Sequence, residues 1–215
     1  MADSDPTALL RLVQWLSPAF PTGAFAYSHG LELAVSVGEV RDEASFAEWL
    51  HDILSYGAGW NDAVLMGRGL RGDTDLEGLA DLARALAPSA ERLRETEEQG
   101  AAFARARSEV ERIALPVEPL PVSVARAARE LQIANEEKIA VFLHSFASNL
   151  VSAGVRFIPL GQSAGQRVLA RHHVLIAQLA QRAAEAGLDE LASAVFRADL
   201  QSMQHEQLDV RIFKT

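Results

Sequence analysis

The residues most capable of chemistry in this 215-residue chain are six histidines, and the first question is whether they converge on a metal or a nucleophile. His172 and His173 are adjacent, so on a helix their side chains diverge by about 100° and do not readily chelate one ion. No two histidines stand at the i, i+4 spacing by which one helix holds zinc. His144 sits in an apolar run and reads as a core histidine. His205-Glu206 offers at most a weak ligand pair, at a position that surface exposure explains equally well. Ser28-His29 is too local for a catalytic triad, whose nucleophile, base and orienting group come from separate elements. Gly67-x-Gly69-x-x-Gly72 spells a dinucleotide fingerprint, but that motif works where a strand ends and a helix begins. Here it follows a helical stripe, Trp60–Met66, and reads as a helix C-terminus running into a turn. Gly161–Gly165 lacks the Lys-Ser/Thr of a phosphate-binding loop. The residue chemistry thus assigns no catalytic group, no cofactor site and no metal ligand, and a binding protein rather than an enzyme is expected.

Composition narrows the classes further. With no cysteine, the chain has no disulfide framework, thiolate zinc site, iron–sulfur cluster or cysteine nucleophile. A net charge of −9 and the lack of any Lys/Arg-rich stretch argue against a nucleic-acid partner. The start, Met1-Ala2-Asp3-Ser4-Asp5, is acidic and lacks the basic and apolar regions of a secretory signal. The longest uncharged stretch, Ile139 to Val155, carries His144, Ser145, Ser148, Asn149 and Ser152. It falls short of the ~20 mostly apolar residues that span a bilayer. A cytoplasmic protein with no membrane partner is expected, and 49% hydrophobic residues suffice for a sizeable core.

The elements that position these residues read as helices nearly everywhere, and no stretch alternates as a strand would. Leu9, Leu10, Val13 and Leu16 form a first stripe, stopped by Pro18 and Pro21. Asp42 caps a helix whose inner face is Phe46, Trp49, Leu50, Ile53 and Leu54, and Gly57 and Gly59 break it before Trp60. Leu76, Leu79, Ala80, Ala83 and Leu86 form a short helix ended by Pro88. Ser89 to Ile113 reads as an exposed helix with a thin seam of Leu93, Phe103, Val110 and Ile113, laced by Glu91–Arg94 and Arg107–Glu111 pairs. Pro116, Pro119 and Pro121 mark a connector short enough for one core to span. Asn135 to Arg156 is apolar on nearly every face, hence a central helix or a dimer interface. A long helix near Gly165–Ala186, with Val168, Leu169, Val174, Leu175 and Leu179 inward, precedes a last helix, Leu188–Gln207, and a tail without pattern.

Three segments are poorly explained by core packing alone. Pro18 to Glu32 is a rigid turn with Phe20, Phe25 and Tyr27. Ile158 to Arg167 is a polar, glycine-rich loop feeding a helix. Ser202-Met203-Gln204-His205-Glu206 leads to an amphipathic end, Arg211-Ile212-Phe213-Lys214-Thr215.

In this order and at these separations the three segments resemble the UreF family. Ser17–Glu32 matches S-P-x-x-P-x-G-x-(F/Y)-x-(Y/H)-S-x-G-L-E. Ala147–Ala153 with Ile158–Arg167 matches A-S-N-L-V-S-A followed by (I/V)-P-L-G-Q-x-x-G-Q-R. Ser202–Glu206 with Arg211–Thr215 matches S-M-x-H-E followed by R-(L/I)-(F/Y)-(R/K)-(S/T). The family commonly has Ser-Tyr-Ser-Gln where this chain has Ala26-Tyr27-Ser28-His29.

The resemblance implies one all-α, UreF-like domain of about ten helices over residues 1–215, with flexible tails at 1–6 and 208–215, forming a homodimer. It implies a urease accessory protein without chemistry of its own, a nickel-insertion chaperone. Such a protein bridges UreD (also called UreH) and the GTPase UreG to mature apo-urease and modulates GTP hydrolysis by UreG. Phe25 matches the aromatic whose rearrangement accompanies UreD binding, and Arg211 the arginine that steadies the ordered tail. Tyr27, Gly30, Glu32, Gly161, Gln162, Gln166, Met203, His205, Glu206, Phe213 and Lys214 complete the expected partner-binding or conformational set. Two alternatives remain open: GTPase activation by an arginine in trans, Arg211 or Arg167, and direct nickel carriage through His205, Glu206 or the paired histidines.

Overall fold

Side-chain caps and glycine breaks set several helix boundaries in the computed structural model, which describes residues 5–72 and 74–214. Among the described residues there are eleven α-helices, two 3-10 turns and no strand. Asp5 accepts the Thr7 amide at 2.9 Å to start α1 (Pro6–Trp15). After the 3-10 turn Ala24–Ala26 comes α2 (Leu31–Ser36). Asp42 and Ser45 form a reciprocal cap on α3 (Glu43–Tyr56), which buries the five residues expected of it. Gly57 then breaks the chain into α4 (Ala58–Arg71), and α5 (Leu76–Ala85) follows an Asp75 cap. The longer helices α6 (Ala90–Glu111) and α8 (Asn135–Phe157) flank α7 (Leu120–Ala128). The chain closes with α9 (Gly161–Arg171), α10 (His173–Glu185), the 3-10 turn Leu188–Glu190 and α11 (Phe196–His205).

Helix α8 is the axis of the fold, packed against α3, α4, α9 and α10. By length and composition alone it is apolar enough to cross a membrane, but half of that stretch is buried inside the protein. Its outer face carries His144, which is exposed rather than in the core. The main hydrophobic cluster runs from Ala8 to Phe213 and crosses the proline connector, with Phe103 and Val124 on either side.

Four expectations are corrected. In α1 the buried face is Ala8, Leu12 and Trp15, leaving Leu9, Leu10 and Val13 exposed. The large Trp15 ring decides the face, meeting Phe103 edge-on at 6.3 Å with the Arg107 guanidinium 4.7 Å from its centre. The expected long helix across Gly165–Ala186 is two helices joined at His172, whose Nδ1 turns back to the Val168 carbonyl at 2.8 Å. The change of phase there leaves Val174 exposed. The last helix begins only at Phe196. Residues 191–194 are held extended, with the Ala192 amide on Asn61 Oδ1 and the Ala194 amide on the Tyr56 carbonyl. The glycine triplet lies mostly inside α4 and ends in the left-handed C-cap Gly72; Gly67 and Gly69 are the points where α10 and α7 press against it.

At Gly67 a Cβ would lie 2.2 Å from the Ala183 carbonyl oxygen, with backbone on both sides of the clash. Gly67→Ala is therefore expected to lower unfolding free energy by roughly 1–3 kcal/mol, the range for overpacking. Gly161→Ala meets open space and only a positive φ, and should lose about 1 kcal/mol. Urea denaturation of both variants checks the order, which equal losses would contradict.

Candidate functional site

Helix α6, expected to be exposed, instead turns a charged face into the protein. Glu91, Arg92, Glu95, Thr96 and Gln99 are all buried, and Arg107 is 1% exposed. The apolar Val110, part of the expected seam, lies outside. A helix buries charge only where each charge finds a partner, because an unpaired ion in a low-dielectric interior is strongly disfavoured. The expected Arg107–Glu111 pair forms at 2.9 Å. Glu91 does not use Arg94; its partners come from the C-terminal segment.

That segment makes a clamp. His205 is fully buried, with Nδ1 2.8 Å from Glu91 Oε2 and Nε2 3.1 Å from Glu32 Oε2. Both ring nitrogens thus meet carboxylates, an arrangement that imidazolium satisfies with two N–H donors. Arg211 donates to the other Glu91 oxygen at 2.5 Å, while Glu32 accepts the backbone amides of Ile212 and Phe213, each at 2.9 Å. Ser202 bonds Ser89 at 2.7 Å, and Ser89 in turn caps α6 through the Arg92 amide. Glu206 accepts the Ala90 and Glu91 amides, adding a carboxylate at the positive end of α6. Met203, on the opposite face of α11, is partly exposed.

The same tail is stitched to the first loop. Phe213 is buried, meets Phe157 edge-on at 6.2 Å and lies under the Arg156 guanidinium at 4.7 Å. The Lys214 amide donates to the Ala26 carbonyl at 2.7 Å, and its ammonium reaches Glu98 at the same distance. Tyr27 also donates to Glu98, at 2.5 Å. Hydrogen bonds from Lys214 and Tyr27 hold the Glu98 carboxyl below the usual range, whereas burial and the neighbouring Glu98 push the Tyr27 hydroxyl well up. The segment expected to be a loose tail is therefore anchored over residues 211–214; Thr215 lies outside the described residues, as do residues 1–4.

A second buried layer continues inward. His29 and Gly30 are both left-handed, with φ of 57° and 79°, and this turn starts α2. Gly30 is required twice over, because a Cβ there would lie 2.8 Å from the Ser202 amide nitrogen. The turn places His29 Nε2 2.8 Å from Glu95, which also accepts from Gln99, while Arg92 pairs with Asp62 at 2.6 Å. Burial pushes the Glu95 carboxyl up, but the charges of His29 and Arg92 outweigh it and hold it below the usual range. Asp62 is raised by burial against the pull of Arg92.

His29, Glu95 and Gln99 also line a cleft of about 500 Å³ between the first loop and α8. Its outer wall joins Phe25, which is 67% exposed, to Gln162 and Gln166 of α9 and Ser145, Asn149 and Ser152 of α8. Gly161 starts α9 in the left-handed region and lets the chain reverse after Pro159. The structure thus gathers the expected residues into two groups. Tyr27, Gly30, Glu32, His205, Glu206, Arg211, Phe213 and Lys214 form the clamp; Phe25, Gln162 and Gln166 rim the cleft, which Tyr27 also lines.

Glu91, Glu95 and Glu98 were not legible as site residues, although their i, i+4, i+7 spacing puts them on one face of α6. His205 is not a surface ligand, since its ring is enclosed by two carboxylates. Among the described residues, no group of three or more His, Cys, Asp or Glu side chains is arranged to hold a metal. Arg167, the other arginine considered, forks onto Glu43 on the outside of α3.

The UreF family model matches residues 40–173. A urease accessory protein UreF from Cereibacter sphaeroides is 61% identical over 208 residues, covering 97% of this chain and 99% of the relative. Proteins of the same name from a Jannaschia species and from Rhodopseudomonas palustris are 46% and 44% identical, over 96% and 97% of this chain and 94% and 93% of their own lengths.

His205→Ala leaves Glu32 and Glu91 buried without their shared partner and should lower stability by about 3–5 kcal/mol, the range for breaking a buried ion pair. Equilibrium denaturation at pH 7 measures it, and a loss under about 1 kcal/mol, typical of an exposed pair, contradicts the clamp. The acid limb is a second check. Glu95 and Glu98 have folded pKa values below the unfolded value of roughly 4.3, so their contribution is complete above that pH and is lost as pH falls through the folded values. Stability should decline on acidification below about pH 4.3, and Glu95→Gln should flatten that decline.

Proposed function

The chain belongs to the UreF family, and from that premise we propose that it is a cytoplasmic nickel-insertion chaperone for apo-urease, acting as a homodimer that bridges UreD (UreH) and the GTPase UreG. On this reading it carries out no chemistry itself and modulates GTP hydrolysis by holding UreG in the assembly. The observation that carries the reading is the docked tail. Its inner anchors, Phe213 and the amides received by Glu32, are buried, while Arg211 and Lys214 remain partly exposed, and Lys214 bonds the carbonyl of Ala26, next to the protruding Phe25. A partner that contacts Phe25 reaches the same patch as the tail, so partner binding and tail position are coupled through adjacent contacts.

Bridging is favoured over the two alternatives by what the arginines and histidines already do. An arginine finger at Arg211 has to leave Glu91, and one at Arg167 has to leave Glu43. Carriage of nickel by His205 requires opening the fully buried clamp.

Co-expression with UreD, read by size-exclusion chromatography with light scattering, should give a species with two copies of each chain that then recruits UreG. Phe25→Ala and Arg211→Ala should each weaken this complex by roughly tenfold or more, as truncation of a binding hot spot does. Separate elution of the wild-type chains contradicts bridging. Faster hydrolysis by UreG that vanishes in Arg211→Ala with the complex intact favours the arginine finger instead.

A further inference from the structure

Two histidines that the clamp does not use face each other at the surface. His144 stands on the outer face of α8 and His173 opens α10; both are exposed, with ring centres 5.5 Å apart and planes tilted by 44°. Neither ring is hydrogen-bonded to another described residue. Their neighbour His172 behaves differently. It is buried, its Nδ1 is committed to the Val168 carbonyl, and its ring lies 6.4 Å from that of His51. The adjacent histidines diverge as helix geometry requires, and the outward one meets a histidine from another helix.

This separation fits a shared ion. Metal–imidazole bonds of about 2.1 Å, plus roughly 1.1 Å from nitrogen to ring centre, put the centres of two neighbouring ligands about 4.6 Å apart at a right angle and about 5.3 Å apart at the tetrahedral angle. The observed 5.5 Å exceeds the tetrahedral separation by about 0.2 Å and the right-angle one by about 0.9 Å, a gap that rotation of the exposed side chains closes, while the two packed helices fix the backbones that carry them. We propose that His144 and His173 form a surface site for one first-row divalent cation of the class that prefers imidazole, such as Ni²⁺, Cu²⁺ or Zn²⁺, rather than Mg²⁺ or Ca²⁺. Since no third His, Cys, Asp or Glu joins them among the described residues, water completes the coordination and the ion exchanges readily. Neither residue takes part in the clamp contacts or lines the cleft.

The test is calorimetric titration of the full chain with NiCl₂, with MgCl₂ as the contrast. One Ni²⁺ per chain should bind, more tightly than about 1 mM, with no heat of binding from Mg²⁺. His144→Asn and His173→Asn should each weaken the affinity roughly tenfold or more, while His51→Asn leaves it unchanged. Ni²⁺ should also broaden the imidazole proton signals of His144 and His173 in the wild-type chain before those of His51, a readout that needs no variant to fold. Absence of saturable binding below about 1 mM, or unchanged affinity in the His144→Asn/His173→Asn double variant, overturns the proposal.

Discussion

The structure depends on the rule that charge taken out of water must be paired, and on where that rule is applied: Glu32 and Glu91, two buried carboxylates held within reach of one imidazole. Left as a pair they repel. His205 stands between them with a ring nitrogen on each, and Arg211 pairs with the outer oxygen of Glu91. His205 and Arg211 both come from the last eleven positions of the chain. The C-terminal segment is thereby part of the interior chemistry of the fold. Its backbone is drawn in as well, since the lone pairs left on Glu32 accept two consecutive amides.

Much of the rest follows from keeping those partners in place. The left-handed His29-Gly30 turn sets α2 so that Glu32 points at the tail, and only glycine lets α11 approach that turn so closely. Ser202 on α11 and Glu206 at its C-cap finish the N-terminus of α6, so the short helix that carries His205 also caps another. Toward solvent the interactions change in kind. Arg156 bridges the Phe25 carbonyl and the Phe213 ring, and Glu98 gathers Lys214 and Tyr27. These outer contacts are partly exposed and individually weak, so they are the ones a partner can exchange without dismantling the buried pair. The tail thus has a fixed interior part and an exchangeable rim.

The all-helical architecture was legible because apolar periodicity, the Asp42 cap and the Gly57 break report local preferences that tertiary packing did not override. The candidate site was legible only through its three signature segments, two near the chain ends and one at Ile158–Arg167. What failed did so for identifiable reasons. The polarity of α6 was read as solvation, yet its glutamates are buried against cations contributed from the far end of the chain, a pairing that no local pattern announces. The stripe on α1 was outvoted by one tryptophan. The break at His172 carries neither proline nor glycine, since it rests on a side-chain bond to the backbone. The extended run after Glu190 is held by groups about 130 positions earlier, Trp60 and Asn61. The place of His29 is explained by Glu95 and the Phe146 ring, which come from distant parts of the chain.

Hydrogen exchange of the backbone amides of Ile212 and Phe213 tests the central claim most directly, by comparing the wild-type chain with Glu32→Gln. If a buried carboxylate fastens the tail, both amides are protected in the wild type. They then exchange far faster in the variant, while the amides of α3 and α8 keep their protection. Rapid exchange of the two amides in the wild type, or protection that survives Glu32→Gln unchanged, would contradict the account.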